Sequence, residues 1–229
     1  MTNEILWFAA LFINFAFILF FYRFLGKTGL FIWIPISVIL ANIEVLKTVE
    51  IFGFTNTLGN IIYATSFLVT DILSENHSKK EASKAVFAGF LSLAAMTILM
   101  NIAIRFTPAE SDFASEHLSA IFSVMPRIAL ASLAAFLLSE YHDIWAYSFW
   151  KKKYSEKKYI WIRNNASTMV SQLIDSAVFT LIAFAGVFDT KTLVEIFLTT
   201  YIMKWIVAVF DTPCVYIAES WYRKGKILA

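Results

Sequence analysis

The stretch ILWFAALFINFAFILFFY, residues 5–22, runs for eighteen residues without a charge. At about 1.5 Å of rise per residue, a helix of this length comes close to spanning a hydrocarbon core of about 30 Å. Its inner run FAFILFF, residues 15–21, does not alternate apolar with polar residues, so it is not a strand of a membrane barrel. Only Glu4 is charged before it, and no small-x-small site follows before Arg23. A basic flank and a cleavage site would mark a secretory leader, so the stretch reads as a retained helix.

Six further apolar stretches follow, at residues 30–49, 58–73, 85–104, 118–139, 165–187 and 193–218. The composition agrees with them. The chain of 229 residues is 59% hydrophobic and 16% charged, with only 7 Gly and 4 Pro. Its mean hydropathy is +0.68. Ordinary globular domains run at about 45–50% apolar and about 25% charged. The expectation is therefore an all-α, polytopic transmembrane helical bundle of about seven helices, one integral membrane domain over 1–229. A soluble enzyme, a disordered chain and a disulfide-rich module are set aside. Net charge is +2, which offers no field for a nucleic acid. The single cysteine, Cys214, can form neither an internal disulfide nor a cysteine metal cage.

The short loops orient the bundle. With seven spans and the N-terminus outside, fourteen Lys and Arg fall in inside loops and two, Arg105 and Lys191, in outside loops. An excess of Lys and Arg marks the cytoplasmic side. The basic run 151–163 reads as the main anchor. Trp7, Trp33, Trp145, Trp150, Trp161 and Trp221, near helix ends, are expected at the membrane interfaces.

Charges inside the spans are the informative residues, because an ionised side chain at the bilayer centre costs about 2.5–3.5 kcal/mol even on the lenient insertion scale. The chain carries Glu44, Lys47, Asp71, Arg127, Asp175, Lys204 and Asp211 there. In the sixth span Asn164, Thr168, Ser171 and Asp175 follow at +4, +3 and +4, one helical face. Asn165 and Gln172 widen that face and Phe179 continues it, while Val170, Leu173, Ile174 and Ala177 lie opposite. Such a stripe can simply join helices by hydrogen bonds, but an intramembrane carboxylate among amides and hydroxyls also suits a polar ligand. The third span repeats the pattern more weakly with Asn60, Phe67, Asp71 and Glu75, Tyr63 at its margin. Lys204 and Asp211 lie two turns apart in the seventh, before the break at Pro213. No metal, nucleotide or nucleophile motif accompanies them. His77, His117 and His142 read as loop or helix-end residues, so the chain is read as no enzyme and no cofactor is expected.

Taken together, 70-TDILSE-75 with Lys79-Lys80, Pro126-Arg127-Ile128-Ala129, Asn164-Asn165 with Gln172-Leu173-Ile174-Asp175, Tyr201 with Lys204, and Asp211-Thr212-Pro213 with Tyr216 resemble the queuosine-precursor transporter family of bacterial membrane proteins. The resemblance runs from about Asn42 to Tyr216. It implies a six-helix core over about 30–218, with 5–22 as an extra helix, in a bacterial cytoplasmic membrane. It also implies uptake of a 7-deazaguanine, such as preQ0, preQ1 or queuine, for tRNA modification. Such a base is flat, with N–H donors on its guanine-like edge beside a carbonyl. Asp175, with Gln172 and Asn165, is the first choice for that edge; Arg127 and Lys204 are donors or charge partners. Asn42, Glu44, Asp71 and Thr168 follow, and Phe67 and Phe179 could stack. Relatedness to the substrate-binding components of energy-coupling-factor vitamin transporters leaves a second reading, a binding subunit served by an energising module, and a homo-oligomer stays open. An intramembrane enzyme is a third reading, against which the missing motifs count.

Overall fold

The structure is a computed structural model that describes residues 2–186 and 189–228. Val187, the expected end of the sixth span, lies outside the described residues. In chain order the elements are α1 (Asn3–Glu44), β1 (Thr48–Ile51), β2 (Phe54–Thr57), α2 (Gly59–Asn76), α3 (Lys79–Ala103), α4 (Ser115–Phe122), α5 (Met125–Lys153), a 3-10 turn (Lys157–Tyr159), α6 (Ile160–Phe184) and α7 (Thr190–Arg223).

The first two expected spans are the two arms of α1. They meet at Gly26, whose φ of 55° and ψ of −140° lie outside the helical region and are open to glycine alone. The chain doubles back there. The rings of Phe17 and Trp33 stack with centroids 5.8 Å apart, although sixteen residues of straight helix would separate them by about 24 Å. At the far end of the hairpin the Phe52 amide donates to Glu4 at 3.2 Å. Trp7 and Trp33, expected at the interfaces, are instead buried between helices.

Two expectations need correction. The second span does not reach residue 49: α1 ends at Glu44, and residues 48–57 form an antiparallel hairpin with Thr48 opposite Thr57. Phe52 and Gly53 both have positive φ, as a two-residue hairpin turn requires. Lys47 is thus exposed outside any helix. The fifth span does not stop at residue 139. It is a bent pair, α4 and α5 meeting at 41°, and α5 runs on to Lys153 with Pro126 in its first turn. His142 therefore lies inside a helix.

Four helical stretches are long and apolar enough to cross a membrane among the described residues: α1, α3, α6 with its preceding turn, and α7. The bent α4–α5 pair makes a fifth. Helix α2 is not among them, and its surroundings explain why. It runs through the centre, packed on α1, α7, α3 and α5, with sixteen of its eighteen residues buried. A helix that meets protein on every side can carry Asn60, Ser66, Thr70 and Asp71 at no cost in lipid contact. The surrounding helices turn Phe12, Phe20, Ile98, Leu130 and Leu181 outward, a girdle suited to acyl chains.

The basic loops gather at one end of this bundle. Lys27 pairs with Glu81 at 2.9 Å and Lys157 with Glu219 at 2.5 Å. The Leu228 amide donates to the Arg23 carbonyl at 2.9 Å. The N-terminus and the β-hairpin occupy the opposite end.

Candidate functional site

The stripe read on the sixth span is buried as expected. Asn164, Thr168, Ser171, Gln172 and Asp175 are all enclosed, while Val170 and Leu173 face outward. What the stripe faces is a polar column shared by α2, α5, α6 and α7. From Asn60 to Glu75 along α2 it extends about 22 Å at helical rise.

At the hairpin end the column opens into a narrow cleft lined by Asn42 of α1 and Val45 just after it, Asn60 and Tyr63 of α2, Asp175 and Phe179 of α6, and Lys204 of α7, with Ala41, Gly59 and Ser132 completing it. The enclosed space within it is only about 30 Å³, far below the ~300–1,000 Å³ usual for small-molecule sites, so the cleft is nearly closed here and has to widen to take a ligand. Gly59 lets α2 approach α1 here: a Cβ at this position would overlap the Ala41 carbonyl oxygen and sit 2.9 Å from the Val45 nitrogen. On the cleft floor Asp175 and Lys204 form a buried ion pair. The Tyr63 hydroxyl donates to Asp175 Oδ1 at 2.6 Å, and Ser139 Oγ reaches the same oxygen at 3.4 Å. Lys204 Nζ also lies 4.9 Å from the centre of the Tyr63 ring. Asn60 is tied down by its amide, which donates to Asn56 Oδ1 at 2.9 Å and Thr57 Oγ1 at 3.0 Å. Asn42 donates to the Val38 carbonyl at 2.8 Å, and its Oδ1 has no partner among the described residues.

Deeper in the column lies a layer of carboxyl groups: Asp71 of α2, Glu140 and Asp143 of α5, and Asp211 of α7, all fully buried. Ser66 donates to Glu140 at 3.0 Å, Thr168 reaches Asp71 at 3.5 Å, and Asn164 donates to Asp211 at 2.8 Å. His142 Nδ1 lies 2.8 Å from Ser171 Oγ.

The basic end is closed by Arg163, the largest fully buried side chain. Its Nη2 binds Glu75 Oε1 at 2.8 Å, and its Nη1 donates to the Tyr154 and Glu156 carbonyls at 2.6 and 3.1 Å. Tyr147 donates to Glu75 Oε2 at 3.2 Å, and Lys151 donates to the Ser74 and Glu75 carbonyls at 3.0 and 2.5 Å.

The structure thus divides the residues singled out from the sequence. Asp175, Lys204, Asn42 and Phe179 converge on the cleft. Asp71 and Thr168 belong to the carboxyl layer, and Gln172 lies on the turn between Thr168 and Asp175. Phe67 is a core residue, edge-on to Tyr63 at 6.3 Å. Arg127 is not in the column: it staples α5 to the end of α6 through the Ile182 and Ala185 carbonyls at 3.1 and 2.7 Å. Asn165 is occupied with the Trp161 carbonyl and Thr212 Oγ1. Glu44 ends α1 without lining the cleft. Sequence reasoning missed Ser139, Glu140, Asp143 and Arg163. Ser132, Ser139, Asp143, Tyr147 and Lys151 recur at +7, +4, +4 and +4, a stripe that was readable had the helix not been ended at 139.

Comparison with known proteins gives the following. A family model described as "Putative vitamin uptake transporter" matches residues 57–218. The chain is 41% identical over 220 residues to a "Probable queuosine precursor transporter" of Bacillus subtilis (strain 168), covering 96% of each chain. That coverage takes in most of the first arm of α1, so this segment is shared with that relative, while the family model begins after it. No solved structure matches.

Proposed function

The chain belongs to the vitamin uptake transporter family, a multi-pass membrane protein that carries a small molecule, and from this premise we propose that it imports 7-deazaguanine precursors of queuosine. The observation that carries the reading is the convergence of Asp175, Lys204 and Tyr63 on one cleft. A guanine-like edge presents adjacent N–H donors beside a carbonyl. A carboxylate accepts the former and an ammonium donates to the latter, so the base replaces the contact that Asp175 and Lys204 make with each other. Asn42 Oδ1 supplies a further acceptor, and the rings of Tyr63 and Phe179 flank a flat molecule.

The balance of basic loops supports an N-terminus outside and a C-terminus inside a bacterial cytoplasmic membrane. The cleft then faces outward, and the Arg163–Glu75 contact bars the cytoplasmic end. The amides, hydroxyls and carboxyl groups of the column suit reversible binding, which fits transport without covalent change.

The test uses a bacterial strain lacking queuosine synthesis and its own importer but retaining the enzymes that insert the base. This chain is expressed alone, preQ0, preQ1 or queuine is fed at low concentration, and queuosine in tRNA is measured. Modified tRNA, lost in Asp175→Asn at equal expression, is the expected result. Unmodified tRNA with the protein present in the membrane would refute stand-alone import of these bases. Base binding retained by the purified protein would then point to an energising module.

A further inference from the structure

The carboxyl layer below the cleft is not used by the binding scheme above. Among the described residues, no Lys, Arg or His forms an ion pair with Asp71, Glu140, Asp143 or Asp211, because Lys204 is engaged by Asp175 and Arg163 by Glu75. The Asp71 and Asp143 carboxyl groups face each other within hydrogen-bonding reach. Two ionised carboxylates cannot occupy that geometry in a dry interior; one proton between them turns repulsion into a hydrogen bond.

A second observation is independent of the charges. Asn164 is wholly buried and aimed into the layer, its amide donating to Asp211 at 2.8 Å while its Oδ1 has no partner. On the carboxyl groups and Asn164 the unpartnered atoms are acceptors: Asp71 Oδ1, Glu140 Oε2, both oxygens of Asp143, Asp211 Oδ2 and Asn164 Oδ1; Gln172, one turn towards the cleft, leaves both its Oε1 and its Nε2 unpartnered. Carboxyl oxygens outnumber the hydroxyl and amide donors around them, and bound protons are donors. No group of three His, Cys, Asp or Glu among the described residues is arranged to hold a metal ion.

We propose that this layer is a proton-binding site, centred on the Asp71–Asp143 pair, through which inward proton movement drives uptake of the base. The coupling rests on the transport reading above; the site itself does not. A proton enters from the cleft side, is held between Asp71 and Asp143, and leaves to the cytoplasm when the Arg163–Glu75 contact opens. Several groups face the pair. Asp211 of α7 and Glu140 of α5 add negative charge, and the hydroxyls of Ser167, Thr168 and Ser171 on α6 lie around Asp143. Tyr147 of α5 stands between Asp71 and Glu75, with Arg163 of α6 beyond. Cys214 of α7 is close to Asp211, His142 is adjacent to Asp143 in α5, and Asp175 faces Glu140 from the cleft.

The experiment takes the full chain in proteoliposomes with labelled preQ0, whose neutrality leaves the proton as the charge that moves. Accumulation should rise about tenfold per pH unit of inward gradient for one coupled proton, and a protonophore should abolish it. Infrared spectra should show a buried carboxylic-acid band at neutral pH that Asp143→Asn removes. Asparagine imitates the protonated acid, so the variant should fold and lose gradient-driven accumulation. Accumulation driven by a sodium gradient at constant pH, or indifferent to both gradients, would overturn the coupling. A missing band, or one unchanged in Asp143→Asn, would overturn the site. Failure of preQ0 to exchange in either direction would instead refute the base reading, while the infrared band still decides the site.

Discussion

Replacing Lys204 by Met should be among the most damaging single changes in the protein, and replacing Asp175 as well should undo most of the damage. Both side chains of the pair are 2% exposed. With Lys204 gone, Asp175 keeps hydroxyl contacts from Tyr63 and Ser139 but no positive charge. Breaking a buried pair from one side costs about 3–5 kcal/mol, because the surviving charge is left without compensation. At about 2–4 °C per kcal/mol for a chain of this size, Lys204→Met should lower the melting temperature by about 6–20 °C. Asp175→Asn should cost less. Its side-chain oxygen still accepts from Tyr63, and the orphaned ammonium retains the Tyr63 ring at 4.9 Å, a contact worth about 2 kcal/mol when desolvated. The double variant buries no charge, so its loss should fall below that of Lys204→Met alone, a coupling of at least about 2 kcal/mol. The assay is thermal unfolding of the four proteins in one detergent, beside uptake, which should be absent from all three variants. Strict additivity of the two single losses would refute the pairing, and uptake by the double variant would refute its place in the binding site.

Three further outcomes follow from other parts of the molecule. Gly59→Ala should push α2 from α1 at the cleft, costing about 1–3 kcal/mol by overpacking and weakening base binding; a melting temperature and affinity equal to the parent's would contradict the close approach. Arg163→Gln leaves Glu75 without its buried cation, so a cysteine placed at Ser74 should be labelled faster from the basic end than in the parent, and equal rates would show that this contact is no barrier. Asp112 accepts hydrogen bonds from the Ala114 and Ser115 amides, both at 2.7 Å, which hold its carboxyl below the ordinary value of 3.8. The folded form binds its proton less readily than the unfolded one, so this capping support is complete above pH 3.8 and is lost as pH falls through the lower folded value. Hydrogen exchange in the first turn of α4 at neutral pH should be faster in Asp112→Ala, and unchanged exchange would sink that account.

Much of the fold is legible because lipid imposes a strong and simple rule: helix surfaces that meet it must be apolar. The arms of α1, α3, α6 and α7 obey the rule and were visible as long apolar runs, with Asp175 of α6 and Lys204 and Asp211 of α7 turned inward. The rule is silent where protein replaces lipid. Residues 45–57 read as continuous with their flanks because Val49, Ile51, Phe52 and Phe54 keep hydropathy high, although the two-residue turn at Phe52-Gly53 between β-branched runs was a strand signal. Helix α5 was ended at 139 because Glu140, His142 and Asp143 look like a helix leaving the membrane. They are tolerated because that face of α5 lies against α6.

The same reasoning explains which half of the site could be read. The stripe on α6 was legible because one helix carries it at strict three- and four-residue spacing. Lys204 was legible as a charge partner and Tyr63 as a marginal residue, but their pairing with Asp175 was not, because Lys204 is 29 residues away and Tyr63 is 112, and only packing of α2, α6 and α7 brings them together. Arg163 shows the limit from the other side. In a count of loop charges it is one more anchor for the cytoplasmic face. In the folded chain it has no exposed surface and closes the column on Glu75. Lys157 and Lys158, a few residues earlier, stay at the surface and keep the anchoring role. Positive charge near a helix end sets orientation only when solvent reaches it; when a carboxylate and two backbone carbonyls replace the solvent, the same charge becomes part of the buried column.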